Sequence, residues 1–91
     1  MKKFLVITHH HCSIEIKAIK DTYEEAKDFM DQDVYNFITS DEDYKNIVVR
    51  KIRNDTMRMY GNAGFSDSHS AHACTGSDCG TCAWAIKQIE V

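Results

Sequence analysis

Residues 69–82 read HSAHACTGSDCGTC, so two histidines and three cysteines fall within fourteen positions of a 91-residue chain. The preceding residues, from Gly61 on, are mostly small or polar, and Phe65 is the one large apolar side chain among them. A loop of roughly twenty residues with so little apolar surface cannot offset its ordering entropy without a constraint. We therefore expect residues 61–82 to form a loop that a bound metal ion holds in place.

The spacing of these side chains indicates a closed zinc site. Cys79-Gly-Thr-Cys82 is the C-x2-C knuckle, in which a tight turn directs two thiolates at one ion. Cys74 offers a third sulfur and His72 a nitrogen, with His69 as the alternative nitrogen. Four protein ligands leave no position for water, so this Zn²⁺ would be structural rather than catalytic. The other interpretations are a redox dithiol, disulfides and an unliganded loop.

A second group of metal-type side chains, His9-His-His-Cys12, lies near the start of the chain. Alternation along a strand places His9 and His11 on one face, where they could reach a common ion. Cys12 could instead complete the site of the loop, if the strands bring it close. The third interpretation is an exposed turn, and the sequence does not decide among the three.

The segments before the loop predict strands and a helix. Lys3–Thr8 is a short apolar run typical of a buried strand, and Ser13–Ala18 alternates so that its apolar residues face one way. Thr22-Tyr-Glu-Glu25 fits a capping box, and apolar residues continue at helical spacing to residue 38. The polar residues between them, Lys27, Asp28, Asp31 and Gln32, are expected mostly on the opposite, solvent-facing side.

Further strands are predicted at 47–52, 56–60 and 83–91, which gives the order β-β-α-β-β-loop-β. The sequence therefore predicts a single α+β domain over residues 1–91. We expect an antiparallel sheet of about four to five strands, one amphipathic helix on one face of it, and the zinc-stapled loop.

The net charge of −3 conceals an acidic segment. Residues 21–45 contain nine acidic residues against Lys27 and Lys45, and the rest of the chain is basic overall. Such a segment is either a solvated helix face or a docking surface for a basic partner. Basic residues cluster around 50–58, but a pI near 5.9 disfavours direct binding to nucleic acid.

The motif search favours a protein that is not an enzyme. The sequence has no phosphate-binding glycine loop, no nucleophile elbow and no H-E-x-x-H helix. The apolar run near the N-terminus is too short for a signal peptide or a membrane span. We therefore expect the chain in a reducing cytoplasm and away from the membrane, where four cysteines favour metal or redox chemistry over disulfides.

Taken together, the start MKKFLVI, the helix TYEEAKDFM, the terminal WAIKQIEV and the group His72, Cys74, Cys79 and Cys82 resemble the small zinc-binding type II-A anti-CRISPR proteins of phages and prophages. The resemblance implies a Cas9 inhibitor in the host cell cytoplasm that blocks target DNA loading or cleavage without being an enzyme. On charge alone, the residues expected to contact Cas9 are Glu24, Glu25, Asp28, Asp31, Asp41, Glu42 and Asp43. The alternatives are a zinc-knuckle nucleic-acid-binding or small regulatory interaction module, and a C-x2-C redox protein.

Overall fold

A computed structural model describes residues 1–10, 13–54, 56–75 and 81–91. Within these ranges every strand pair is antiparallel, and the strands form one sheet in the order β2-β1-β7-β6-β5-β4-β3. The elements in chain order are β1 (Lys2–His10), β2 (Ser13–Lys20), α1 (Tyr23–Thr39), a 3-10 turn (Glu42–Tyr44), β3 (Val49–Ile52), β4 (Met57–Tyr60), β5 (Gly64–Ser66), β6 (Ser70–Cys74) and β7 (Thr81–Glu90). The α+β class with one helix is confirmed.

The helix starts where the capping box predicts. Thr22 is the N-cap, and its hydroxyl oxygen accepts a hydrogen bond from the backbone N–H of Glu25 at 3.2 Å. The same hydroxyl donates to the Glu25 carboxylate at 3.0 Å, so a second hydrogen bond joins the same two residues. These two hydrogen bonds between Thr22 and Glu25 fix the position at which α1 begins.

The core lies between α1 and one face of the sheet, which we call the helix-side face. The apolar stripe of the helix is fully buried there, at Ala26, Met30, Val34 and Ile38. The sheet supplies large side chains from β1, β4 and β7 and small ones from β6. These sheet residues are Val6, Tyr60, Ala71, Ala73, Cys82, Trp84 and Ile86. Because Ala71 and Ala73 are small, the helix can lie close to the middle of the sheet.

The sheet has seven strands, more than predicted, because residues 64–66 and 70–74 form β5 and β6. The expectation of one long loop from 61 onward is therefore wrong for these residues. Backbone pairing of β6 with β5 and β7 orders this segment with little apolar side-chain area. Gly64 makes the closest of these approaches possible, because a Cβ there would lie 2.9 Å from the Cα of Ala73 and would also meet the His72 carbonyl.

Strand β2 departs from the predicted alternation. The pairing with β1 shifts between Val6 and Ile7, so Ala18 pairs with Val6 while Ile16 pairs with Ile7. Ile14 and Ile16 consequently lie on the sheet face opposite α1, which we call the open face, and both are exposed. The expectation that Ile14, Ile16 and Ala18 share one buried face is wrong, because a β-bulge changes the face halfway along the strand.

The first and last strands are neighbours at the centre of the helix-covered half of the sheet. Nine consecutive residue pairs, from Lys2 with Glu90 to His10 with Cys82, join β1 to β7.

The described chain contains no helix that combines the length and the apolar character needed to cross a membrane.

Candidate functional site

The two segments rich in histidine and cysteine approach the same end of the sheet. His10, the last residue of β1, pairs with Cys82 near the start of β7. Cys74, the last residue of β6, pairs with Thr81 on the other side of β7. The predicted ligand Cys79 lies outside the described residues, as do His11 and Cys12. The described strand ends therefore bring both segments to one place, as a shared site would require.

Of the predicted ligands, the structure brings His72 and Cys74 together and separates them from Cys82. His72 and Cys74 are two residues apart on β6 and both are exposed on the open face. Cys82 pairs with Ala73 and, like it, is buried on the helix-side face. Across residues 1–10, 13–54, 56–75 and 81–91, no three His, Cys, Asp or Glu side chains are grouped so as to hold a metal ion. Zinc stays a prediction, and His72 and Cys74 are the described residues that suit it.

The alternative ligand His69 lies just before β6, at the end of that strand away from Cys74. The two are five positions apart along extended chain, a distance of about 17 Å. The His69 ring packs against Tyr23 with 5.0 Å between ring centroids, and its Nδ1 lies 3.2 Å from the Ser68 hydroxyl. His9 is better placed than His69 to share an ion with His72. His9 and His72 both pair with Ala83, from opposite sides of β7, and therefore lie on the same open face.

Cys82 lies in an open cleft of about 330 Å³ between the end of β1 and the second half of α1. Burial raises the pKa of its thiol, and the nearby Asp33 carboxylate raises it further, while Lys17 and a backbone hydrogen bond lower it. The same Asp33 accepts a hydrogen bond from the indole N–H of Trp84 at 2.9 Å. A thiol that holds its proton is a poor nucleophile, so this environment does not favour redox chemistry at Cys82.

Three predicted partner-binding residues share the outer surface of the first two turns of α1. Glu24, Glu25 and Asp28 are all exposed, and we call them the acidic helix face. None of the three has an ion-pair partner among the described residues. Glu24 and Glu25 also lie in the first turn, where the helix dipole favours negative charge. These carboxylates are therefore available to a basic partner.

Asp31, also predicted to bind a partner, is buried and is already bound within the molecule. Its carboxylate accepts two hydrogen bonds from Lys27 Nζ, at 2.8 and 3.0 Å, and lies 3.5 Å from Arg58 Nε. Lys27 and Asp31 expose only 10% and 3% of their side chains. Their expected place on the solvent side is wrong, because together they form an ion pair over β4.

The remaining acidic residues of the prediction follow α1. Asp41 is half-buried and caps the 3-10 turn by accepting the backbone N–H of Asp43 at 2.9 Å. Glu42 lies 3.4 Å from Lys45 Nζ in an exposed ion pair. The helix separates this group from the acidic helix face by about 20 Å, counted from Asp28 to Asp41 at a 1.5 Å rise per residue. The acidic surface thus consists of two groups rather than one continuous field.

A second open cleft, of about 380 Å³, separates α1 from β3 and β4. Its lining combines both signs of charge with tyrosine side chains, and sequence reasoning did not identify it. The lining residues are Asp28, Asp31, Gln32, Tyr35, Val49, Lys51, Arg58 and Tyr60. Strand pairing divides the basic residues of the 50–58 segment, because Lys51 and Arg58 face this cleft whereas Arg50 lies on the open face. They therefore do not form one basic surface for nucleic acid.

Comparison with known proteins gives no assignment, since no family model, no curated protein and no solved structure matches this chain.

Proposed function

We propose that this protein is a non-enzymatic inhibitor that binds a basic, nucleic-acid-handling surface of a partner protein through its acidic helix face. The first candidate partner is a type II-A Cas9 in the host cell cytoplasm, which the resemblance described above suggests. The observation that carries the proposal is that Glu24, Glu25 and Asp28 are exposed on one helix and have no cationic partner within the described part of the chain.

Electrostatics explains how such a face would inhibit. Cas9 holds its guide–target heteroduplex in a positively charged channel and reads the PAM with arginines. Carboxylates on a helix fixed by a buried core can compete with phosphates there, because complementary fields raise the association rate and suppress other partners. The interaction should weaken as ionic strength rises, since the groups involved are exposed.

A structural zinc ion is part of the proposal. It is supported by the convergence of β1, β6 and β7 at the end of the sheet where the cysteine- and histidine-rich segments begin and end. His72 and Cys74 would supply a nitrogen and a sulfur to the ion from the open face. Zinc bound there would stabilise the strand ends by constraining the chain that joins them.

The partner is tested by mixing the purified protein with Cas9–guide complex and measuring co-elution and target cleavage. We expect a stable complex and loss of cleavage. The double variant Glu24→Gln/Asp28→Asn should weaken binding about tenfold, the effect of 1.4 kcal/mol. Glu15→Gln is the control, since Glu15 is an exposed acid on β2 that lines the cleft beside the second half of α1, away from the acidic helix face on the first two turns.

The outcomes separate the parts of the proposal. No co-elution and unimpaired cleavage would exclude Cas9 as the partner. Binding that survives Glu24→Gln/Asp28→Asn but is lost in Glu42→Gln/Asp43→Asn would move the contact to the acidic group after α1. Binding that both double variants leave intact would exclude the acidic surface altogether.

Zinc is tested by elemental analysis of the freshly purified protein. We expect about one zinc per chain, with less zinc and a lower melting temperature in Cys74→Ser and His72→Ala. His69→Ala is the control and should retain its zinc, because His69 lies at the other end of β6. Zinc-free wild-type protein with unchanged stability in chelator would exclude the structural ion.

A further inference from the structure

The open face is a broad apolar surface. The pairing register places Leu5 and Ile7 of β1 beside Ile16 and Ile19 of β2, with Ala85 of β7 on the other side of Ile7. The exposed fractions of Ile14, Ile16 and Ile19 are 75%, 54% and 60%. On β6 this face carries Ser70, His72 and Cys74, and beyond them lies Phe65 of β5, which stacks against His72 with 6.4 Å between ring centroids. The apolar surface formed by β2, β1 and β7 is contiguous, and exposed apolar surface of this kind usually marks an interface.

We propose that the open face binds a second copy of this chain, so that two sheets pack face to face about a two-fold axis. The product is a four-layer dimer in which both sheets are inside and both helices are outside. This inference goes beyond the proposed function and does not depend on it.

The dimensions of the molecule suit such a dimer. The chain extends 42 by 33 Å along its two longer axes and only 14 Å along the third, so it is a thin plate with α1 on one side. A rectangle with the two longer sides covers about 1,400 Å², whereas a standard stable interface needs about 800 Å² from each partner. The twist of the sheet reduces the area that two copies can bring into contact, but the open face remains large enough for an interface of about 800 Å² per partner.

The charged groups of the open face can stay outside such a contact. Among the described strand residues, the register places Lys3, Arg50 and Lys87 on this face and no acidic residue, so two copies can pack together only if these cations lie at the margin. Lys3 already forms an ion pair with Asp21. Lys87 lies beyond the end of β6, and Arg50 is on the outermost strand, so both can keep their charged groups in water at the margin. The apolar side chains of β2, β1 and β7 then form the contact, and a two-fold axis brings the same surface of both copies together.

The dimer would present two acidic helix faces pointing in opposite directions. It would therefore engage two copies of a basic partner, or two separate sites of one partner, with the gain in apparent affinity that bivalency provides where geometry permits.

The test is the mass of the full-length protein in solution, measured by sedimentation equilibrium over a wide concentration range. We expect about twice the 10.4 kDa of the chain at high concentration. Ile16→Lys should shift the mass to that of the monomer, because it places a charge at an exposed apolar site without touching the core. Glu15→Lys is the matched control on the same strand, since Glu15 faces the helix side, and it should leave the dimer intact.

A second variant distinguishes face packing from edge pairing. Ala85 lies on the open face two strands in from the β2 edge, so Ala85→Arg would block two stacked sheets but not two sheets joined edge to edge. Loss of the dimer in both Ile16→Lys and Ala85→Arg, with unchanged circular dichroism, supports the proposal. A monomeric wild-type protein overturns it and leaves the open face to an unlike partner. A dimer that Ala85→Arg does not affect also overturns it, in favour of edge pairing.

Discussion

The buried ion pair between α1 and β4 allows a quantitative test of how this core tolerates charge. Lys27→Met removes the ammonium that donates both short hydrogen bonds to Asp31, and leaves a carboxylate that is 3% exposed. Breaking a buried pair from one side costs about 3–5 kcal/mol. Because Arg58 remains 3.5 Å from the carboxylate, we expect the lower end, about 3 kcal/mol.

That loss is large for a domain of this size. Ninety-one residues give a total stability of about 5–14 kcal/mol, so Lys27→Met should remove a fifth of it or more. The melting temperature should fall by about 12–24 °C, at about 4–8 °C per kcal/mol for a small domain. Urea denaturation followed by tryptophan fluorescence gives the free energy of unfolding, and circular dichroism gives the melting temperature. Trp84 is a suitable probe because it is in the core.

Two further variants decide whether the charge is the cause. In Lys27→Met/Asp31→Ala no buried charge is left uncompensated, so roughly half of the loss should be regained. Lys45→Met removes the exposed pair with Glu42 and should cost less than about 1 kcal/mol. A Lys27→Met protein within about 1 kcal/mol of wild type, or a double variant less stable than Lys27→Met, would refute the argument.

Three other predictions concern pH, backbone packing and the helix cap. Burial raises the pKa of Cys82 and Tyr60 above the ordinary values of 9.0 and 10.0, so the folded protein binds these protons more tightly than the unfolded chain. The free energy of unfolding should therefore not depend on these two groups below about pH 9, and it should fall as the pH rises through their pKa values in the folded protein. The fall should be smaller in Tyr60→Phe, and urea titrations at several pH values would measure it. Gly64→Ala should cost about 2–3 kcal/mol and lower the melting temperature by about 8–24 °C, because the added Cβ meets the backbone of His72 and Ala73. A smaller fall in melting temperature would mean that β5 and β6 can move apart without penalty. Thr22→Ala should cost about 1 kcal/mol in the same melt, and Thr22→Ser should restore most of it.

The helix was predictable because its signals are local. Thr22 and Glu25 mark the start, and the apolar residues that follow keep one period to the end of α1. Strands β5 and β6 were not predicted, because their alternation is carried by small residues. Ala71 and Ala73 are the buried positions of β6, and alanine gives little hydrophobic contrast with its exposed neighbours. If alanine is counted as apolar, residues 70–74 alternate between polar and apolar side chains, and this pattern predicts strand β6.

The candidate sites were less predictable, because they depend on long-range pairing. Spacing alone placed Cys82 with Cys74 and His72, but the register with β6 turns it to the helix-side face. Helical periodicity placed Asp31 in solvent, whereas Arg58, twenty-seven residues later in the chain, provides the second cation that accompanies its burial. No pattern within a short window contains that information.

The position of β7 has a consequence for how the chain folds during synthesis. β7 lies between β1 and β6, so the first strand has no partner on that side until the last strand has been made. Contacts that join distant parts of a chain form slowly, and the β1–β7 pairs join residues more than seventy positions apart. Until β7 has been translated, β1 has an unpaired edge and one side of the helix lacks the part of the sheet that covers it. We therefore expect the nascent chain to depend on chaperones, and expression at low temperature to raise the yield of folded protein by giving β7 time to insert before exposed strands aggregate.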